Sequence, residues 1–458
     1  MSRDKTDNQS LSQRLHAVIP GGAHTYSRGD DQFPSNAPAL LERGEGAYVW
    51  DVDGNRYLDY GMALRSVTLG YAHPKVNAAA IAEIGKGVGL TRASMTELRA
   101  AERLSQLIPA AEMVKFAKNG SNVTTAAVKI ARAYTRRKYV CVPRQHPFFS
   151  FDDWFIGSTA IKRGVLSEHA STTLLFDYND INSLAAHFAA YPDQIAAVML
   201  EPATHITPCS STCSARWPQI PCAECPENST NFLHQVRNLA HANGALFILD
   251  EMITGFRWHL KGAQHFFGVE PDLVTFGKAM ANGFALAAVA GKAEYMEVGA
   301  INKPGMERTF LLSSTHGGEM PALGAFLAAV DICEQEDVPA HLWSYGARLR
   351  EGLQALAAER GLADHFLLEG PAVALNYVTR DATGQASPVM RTIFAQEMLR
   401  NRVMIPWISI SLAHGPTELD QTLLAASKAL DVYAAALNGN PADFLEGEPV
   451  KPVFRPTN

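Results

Sequence analysis

The stretch Ala245-Leu246-Phe247-Ile248-Leu249-Asp250-Glu251-Met252-Ile253-Thr254-Gly255-Phe256-Arg257 begins with five apolar residues and then turns polar. A short, unbroken apolar run bounded by charge predicts a strand buried on both faces, the habit of a parallel sheet. A carboxylate at the end of such a strand is desolvated and pairs strongly with a cation. Capping of the following segment by Asp250 is the plainer alternative on this stretch alone.

Working outward, Leu273-Val274-Thr275-Phe276 is a second such run, and it leads into Gly277-Lys278-Ala279-Met280-Ala281-Asn282-Gly283. A lone lysine beside a glycine is ordinarily a surface residue. Here it follows Asp250 by twenty-eight residues, at the end of the next apolar run. Further runs are Val114-Lys115-Phe116, Tyr139-Val140-Cys141-Val142, Ala196-Ala197-Val198-Met199-Leu200 and Ala287-Ala288-Val289-Ala290. Between about 74 and 317 these runs alternate with helical stretches, which predicts an α/β fold with a mostly parallel sheet covered by helices. Ligands of open α/β sheets bind beyond the carboxyl ends of the strands, so Glu201, Asp250 and Lys278 are expected around one crevice.

The flanks read differently. Residues 1–73 hold a hairpin in which Tyr48, Trp50 and Val52 alternate before an Asp53-Gly54 turn. Helical patterns return over 321–332 and 338–356. We expect a large domain over 74–317, and a smaller α+β domain built from 1–73 and 318–438. An extended tail over 439–458 carries Pro441, Pro449, Pro452 and Pro456.

The 458 residues are 47% hydrophobic and 19% charged, enough apolar material for two cores. A net charge of -6 gives no basic field to hold nucleic acid, and Arg136-Arg137-Lys138 reads as a solvated helix end. The first residues lack the apolar core of a secretory leader, and no run approaches the ~20 apolar residues of a membrane span, so a cytoplasmic protein is expected.

Asn119-Gly120-Ser121-Asn122 follows the run at Phe116 and precedes Val123, Ala126, Ala127, Ile130, Ala131 and Tyr134, which keep helical spacing. A helix start offers free N–H groups and the positive end of the helix dipole to an anion, although a Ser/Asn cap is common at any helix. A lysine, a buried carboxylate and a phosphate-binding helix start together meet the demands of pyridoxal 5'-phosphate.

On these residues the chain resembles the class III, fold-type I pyridoxal-phosphate aminotransferases, within them the glutamate-1-semialdehyde aminomutase-like branch. The likeness runs from Gly21-Gly22 to about Leu430 and is most specific over 250–257 and 271–283. It implies a fold-type I large domain with a seven-stranded, mostly parallel sheet. It makes Lys278 the Schiff-base lysine and proton shuttle, Asp250 the partner of the ring nitrogen, and Met252 a packing residue on one ring face. Gly120, Ser121 and Asn122 match the phosphate loop, and Glu201, before Pro202, matches a glutamate beside the cofactor. Thr315 matches a threonine that reaches the phosphate of the neighbouring subunit, which implies a homodimer with shared sites.

Two departures bear on the activity. Where the family has Tyr-His-Gly, with its aromatic stacked on the cofactor, this chain reads Gln145-His146-Pro147-Phe148-Phe149. A comparison anchored on Asp153-Trp154 puts Phe148 in the stacking place, with His146 and Phe149 as alternatives. The aminomutase-type Ser-Gly-Asn-Pro is replaced by Gly317-Gly318-Glu319-Met320. Both favour an aminotransferase that moves nitrogen from a small-molecule amino donor to a carbonyl acceptor. The alternatives are glutamate-1-semialdehyde 2,1-aminomutase and, from another class, a non-catalytic regulatory protein that binds the cofactor. Arg28 matches a carboxylate-binding arginine, and Arg65, His146 and His414 are further substrate candidates.

Cys209, Cys213, Cys222 and Cys225 fall within an insertion over about 203–230. Four thiols at paired short spacings suggest a structural zinc, with two disulfides, unrelated free thiols or an iron–sulfur cluster as alternatives.

Overall fold

A computed structural model describes residues 8–208 and 231–457. In chain order the strands are β1 (Leu41–Glu45), β2 (Tyr48–Asp51), β3 (Arg56–Asp59), β4 (Met113–Ala117), β5 (Tyr139–Pro143), β6 (Thr173–Phe176), β7 (Ile195–Leu200), β8 (Leu246–Asp250), β9 (Leu273–Phe276), β10 (Ala287–Gly291), β11 (Phe366–Glu369), β12 (Asn376–Thr379) and β13 (Val403–Met404).

Seven of these form one sheet in the order β4-β10-β9-β8-β7-β5-β6. β9, β8, β7, β5 and β6 pair in parallel, while β10 runs antiparallel to both β9 and β4. Every residue of β7, β8, β9 and β10 is buried, which is why these strands are apolar throughout rather than alternating. The helix Gly120–Thr135 buries Val123, Ala126, Ala127, Ile130 and Ala131 into the same core as β5, β7 and β8. The mostly parallel seven-stranded sheet expected from the sequence is the one observed, with β6 as an additional edge strand that the sequence reading did not identify.

By its internal contacts the chain divides into two compact units, one taking Pro74–Ala340 with the last residues from Phe454, the other the residues up to His73 with His341–Val453. The sequence reading ended the larger domain at 317. The helix Met320–Gln335 instead lies so close to the helix Pro74–Ile84 that a Cβ added at Gly324 would come within 2.6 Å of Glu83 Cγ. That contact keeps it with the larger unit.

In the smaller unit β1, β2 and β3 form an antiparallel meander, and β13 joins β3 in parallel. Gly54 takes φ 82° in the β2–β3 turn, where Asp51 Oδ1 accepts from the N–H groups of Asp53 and Asn55. β11 and β12 pair antiparallel. The tail makes a short turn at Pro441–Phe444 and is then pinned, with Val450 N–H donating to Thr392 and Lys451 N–H to Asp31 O.

After β3 the backbone does something the sequence gives no sign of. Met62, Ala63, Leu64 and Arg65 all have positive φ, at 40°, 47°, 61° and 68°. None is glycine, so this left-handed turn is strained at each residue. Its donors are met from outside: Asp59 accepts from Gly61 and Met62 N–H at 2.7 and 3.0 Å, and Tyr71 Oη accepts from Ala63 N–H at 2.9 Å. Tyr71 in turn donates to Asp59 Oδ2 at 2.6 Å. No helix among the described residues is long and apolar enough to cross a membrane.

Candidate active site

Asp250 is the last residue of β8 and only 1% exposed. Its Oδ1 accepts from Thr275 Oγ1 at 2.9 Å and from Met252 N–H at 3.0 Å. Burial pushes its pKa up to about 6, against the opposing pull of the Lys278 charge and of these two hydrogen bonds. Both of these bonds use Oδ1. Glu251, next in sequence, turns to a different environment and accepts from Ala263 and Gln264 N–H at 2.9 and 2.7 Å.

The Met252 side chain draws three segments together. A Cβ added at Gly120 would lie 3.0 Å from Met252 Sδ, and one added at Gly277 only 2.3 Å from it. The thioether is therefore seated between the start of the helix Gly120–Thr135 and the end of β9, where only glycines leave room. Lys278 follows Gly277 with φ 39°, an uncommon conformation for lysine, and opens the short helix Lys278–Ala281. Asp250, Met252 and Lys278 thus lie at the carboxyl ends of the central strands β8 and β9, with Gly120 against Met252.

At the helix start, Asn119 Oδ1 accepts from Asn122 N–H at 3.1 Å as the N-cap. Ser121 is buried, and its Oγ accepts from Phe151 N–H at 3.0 Å, tying the segment after β5 to this terminus. Thr124 Oγ1 donates to Phe149 O at 2.8 Å. Phe149 is buried in the core with Trp154 and Phe155. Phe148 is 43% exposed and packs edge-on against Phe155. Of the three stacking candidates, Phe149 is therefore committed to core packing, whereas Phe148 keeps an open face. His146 is buried at the end of β5, where its Nδ1 accepts from Glu201 N–H at 3.0 Å. Glu201 is itself buried just after β7.

Arg28 and Arg65 belong to the other unit. The Arg28 charge acts on the Tyr71 hydroxyl, and Arg65 ends the left-handed turn that this hydroxyl supports. His414 is fully buried, its ring 4.7 Å from that of Tyr60 between centroids and its Nδ1 accepting from Ser411 N–H. Thr315 is exposed. The four cysteines Cys209, Cys213, Cys222 and Cys225 lie outside the described residues.

The aminotransferase class-III family profile matches residues 28–206 and 225–366. The chain belongs to the class-III aminotransferases. It is 32% identical over 442 residues to a glutamate-1-semialdehyde 2,1-aminomutase of Thermus thermophilus, covering 92% of this chain and 99% of that one. It is 30% identical over 428 residues to a 3-aminobutyryl-CoA aminotransferase of Cloacimonas acidaminovorans, covering 92% and 96%. Its fold superimposes with a TM-score of 0.82 and 26% identity on the pyridoxal-phosphate internal aldimine form of the FumI protein of Sphingopyxis sp. MTA144, covering 97% of this chain and 98% of that one.

This class-III aminotransferase is accordingly a pyridoxal-phosphate-dependent transaminase, and the non-catalytic alternative falls away. Its residues suit the cofactor: a buried carboxylate for a ring nitrogen, an amine one strand away, a thioether wall and a capped helix N-terminus for phosphate. Sequence reasoning missed Thr275, whose signal was a lone hydroxyl within an otherwise apolar strand. It also missed the ion pair of Lys118, just before the N-cap, with Glu319, which joins the helix start to the segment after Thr315.

Proposed function

We propose that Lys278 holds the cofactor and moves the proton, and that Asp250 keeps its ring nitrogen protonated, in an intermolecular transamination. Bound pyridoxal phosphate supplies an electron sink for the substrate carbon that loses a proton. Asp250 Oδ2 binds the ring N–H, and Thr275 fixes the carboxylate that does so. Met252 walls one ring face, Phe148 covers the other, and Gly120, Ser121 and Asn122 bind the phosphate at the helix start. Glu201 lines the site. Lys278 Nζ, just past the end of β9, the strand beside β8, takes the proton from the substrate carbon and returns it. The observation that carries this reading is the buried Asp250 carboxylate at the end of β8, with Lys278 just past the end of the adjacent parallel strand β9.

Borohydride reduction of the yellow holoprotein, followed by peptide mass analysis, should place the cofactor on Lys278. A label on another lysine removes the assignment. A panel of amino donors and carbonyl acceptors then identifies the substrates. The likeness to the Thermus aminomutase favours a second reading, intramolecular transfer. It predicts turnover of a single amino-aldehyde substrate with no acceptor added, and failure of that turnover discards it.

Substrate contacts by Arg28 and Arg65 are proposed on the family resemblance, tested by the KM of acidic substrates in Arg28→Gln and Arg65→Gln. A homodimer in which Thr315 reaches the neighbouring phosphate is supported by the exposure of Thr315 and of Leu90, Ile301 and Phe310. Sedimentation showing a fully active monomer would discard it. Zinc at Cys209, Cys213, Cys222 and Cys225 rests on their spacing alone, and elemental analysis that finds no metal ends it. A cytoplasmic location completes the proposal, tested by cell fractionation.

A further inference from the structure

His146 carries a polar atom that no described residue uses. The residue is 4% exposed, and its Nε2 is buried with no hydrogen-bond partner among the described residues. The other ring nitrogen is committed: Nδ1 accepts from Glu201 N–H at 3.0 Å. A nitrogen that accepts carries no proton, so the neutral ring must hold its proton on Nε2, as a donor. Burial, with a contribution from His205, drives the pKa down to about 3, so the ring stays neutral at working pH and the donor persists. A buried N–H without an acceptor is costly and calls for an explanation.

The surroundings hold this donor rigidly. The ring is 4.8 Å from Tyr178 and 6.0 Å from Phe149, centroid to centroid. Gln145 ties the segment down by accepting from Tyr178 N–H and donating to Asp177, both at 2.9 Å. Tyr178 is fixed in turn by donating to Pro202 O at 2.7 Å. The imidazole therefore stands at the carboxyl ends of β5 and β7, and β7 is the strand beside β8, which ends in Asp250.

We propose that His146 is a positioning residue whose Nε2–H donates to an acceptor oxygen of the bound assembly, either an oxygen of the cofactor ring or one of the substrate. This rests on the pyridoxal-phosphate reading of the site. It assigns His146 the part of a neutral donor, neither a ring-stacking partner nor a general base.

Two variants separate the two nitrogens. His146→Asn keeps an acceptor near the Nδ1 position for Glu201 N–H and withdraws the distal donor, while His146→Gln places an amide N–H near the Nε2 position. The measurements are pyridoxal-phosphate affinity and absorption maximum on reconstituting apoprotein, KM for donor and acceptor, and the melting midpoint of each apoprotein. If the cofactor supplies the acceptor, Asn loses roughly tenfold in cofactor affinity with a shifted absorption band, and Gln stays within about threefold of wild type. If the substrate supplies it, cofactor affinity and spectrum hold, and KM rises roughly tenfold in Asn but not in Gln. Wild-type values throughout in Asn overturn the proposal, as does equal impairment of both variants with lowered apoprotein midpoints, which marks a purely structural role. Failure of wild-type protein to bind the cofactor at all would instead refute the reading of the site.

Discussion

Thr275 Oγ1 donates to Asp250 Oδ1 at 2.9 Å, and the two residues are register partners on the adjacent parallel strands β9 and β8. A hydroxyl on one strand thus orients the carboxylate on the next. Thr275→Val keeps the shape and removes the donor. A hydrogen bond to a charged group contributes roughly 1.5–3 kcal/mol, so kcat/KM should fall by roughly ten- to a hundredfold. Thr275→Ser should recover most of it. Wild-type turnover in the valine variant would show that the bond does not matter to the reaction.

Asp250→Asn should have opposite effects on the two forms of the protein. In the holoenzyme the amide cannot hold the ring proton, and activity should drop by at least about a hundredfold. In the apoprotein the sign reverses. The folded pKa of Asp250 is raised to about 6 from 3.8, so its contribution to stability is fully present below about pH 4 and is lost as pH rises through 6. The asparagine apoprotein should therefore melt above wild type at pH 7.5, by up to ~3 kcal/mol, with the gap closing toward pH 4. A gap that widens on acidification would contradict the assignment.

Gly277→Ala should weaken cofactor binding more than Gly120→Ala, since the added methyl comes within 2.3 Å of Met252 Sδ in the first case and 3.0 Å in the second. Pairing Gly277→Ala with Met252→Ala restores the space, so the double variant should bind better than the sum of the two single losses allows. Simple additivity in an apoprotein titration would mean that the thioether is not the obstacle.

Tyr71→Phe removes one hydroxyl that serves both Ala63 N–H and Asp59. The buried Asp59 loses one of its donors and the half-buried Ala63 N–H loses its acceptor, so unfolding by denaturant should show a loss of about 2–4 kcal/mol. A loss below about 1 kcal/mol would show that water takes over both bonds.

The chain announces its centre and conceals its joints. β8 and β9 are legible because strands buried on both faces must be apolar end to end, and Asp250 and Lys278 stand out at their ends. β6 was not, because Thr-Leu-Leu-Phe is brief and carries no alternation that separates it from its helical neighbours. The antiparallel direction of β10 has no local signature, since its all-buried residues read the same either way. Membership of the helix Met320–Gln335 in the larger unit depends on Gly324 meeting Glu83, a contact across more than two hundred residues. His146 was legible as a candidate, but which of its nitrogens is engaged depends on the backbone of Glu201, which no side-chain pattern reveals.

The left-handed turn over Met62–Arg65 gives protein engineers a defined starting point. Natural chains retain local discomfort wherever selection asks only for enough stability, so relieving it is a direct route to heat tolerance. Ala63 and Leu64, at φ 47° and 61°, are positions where glycine or asparagine is more at ease than the resident side chain, by about 1 kcal/mol each. A small library confined to these two codons would raise the melting temperature without touching Asp250, Lys278 or the strands that carry them.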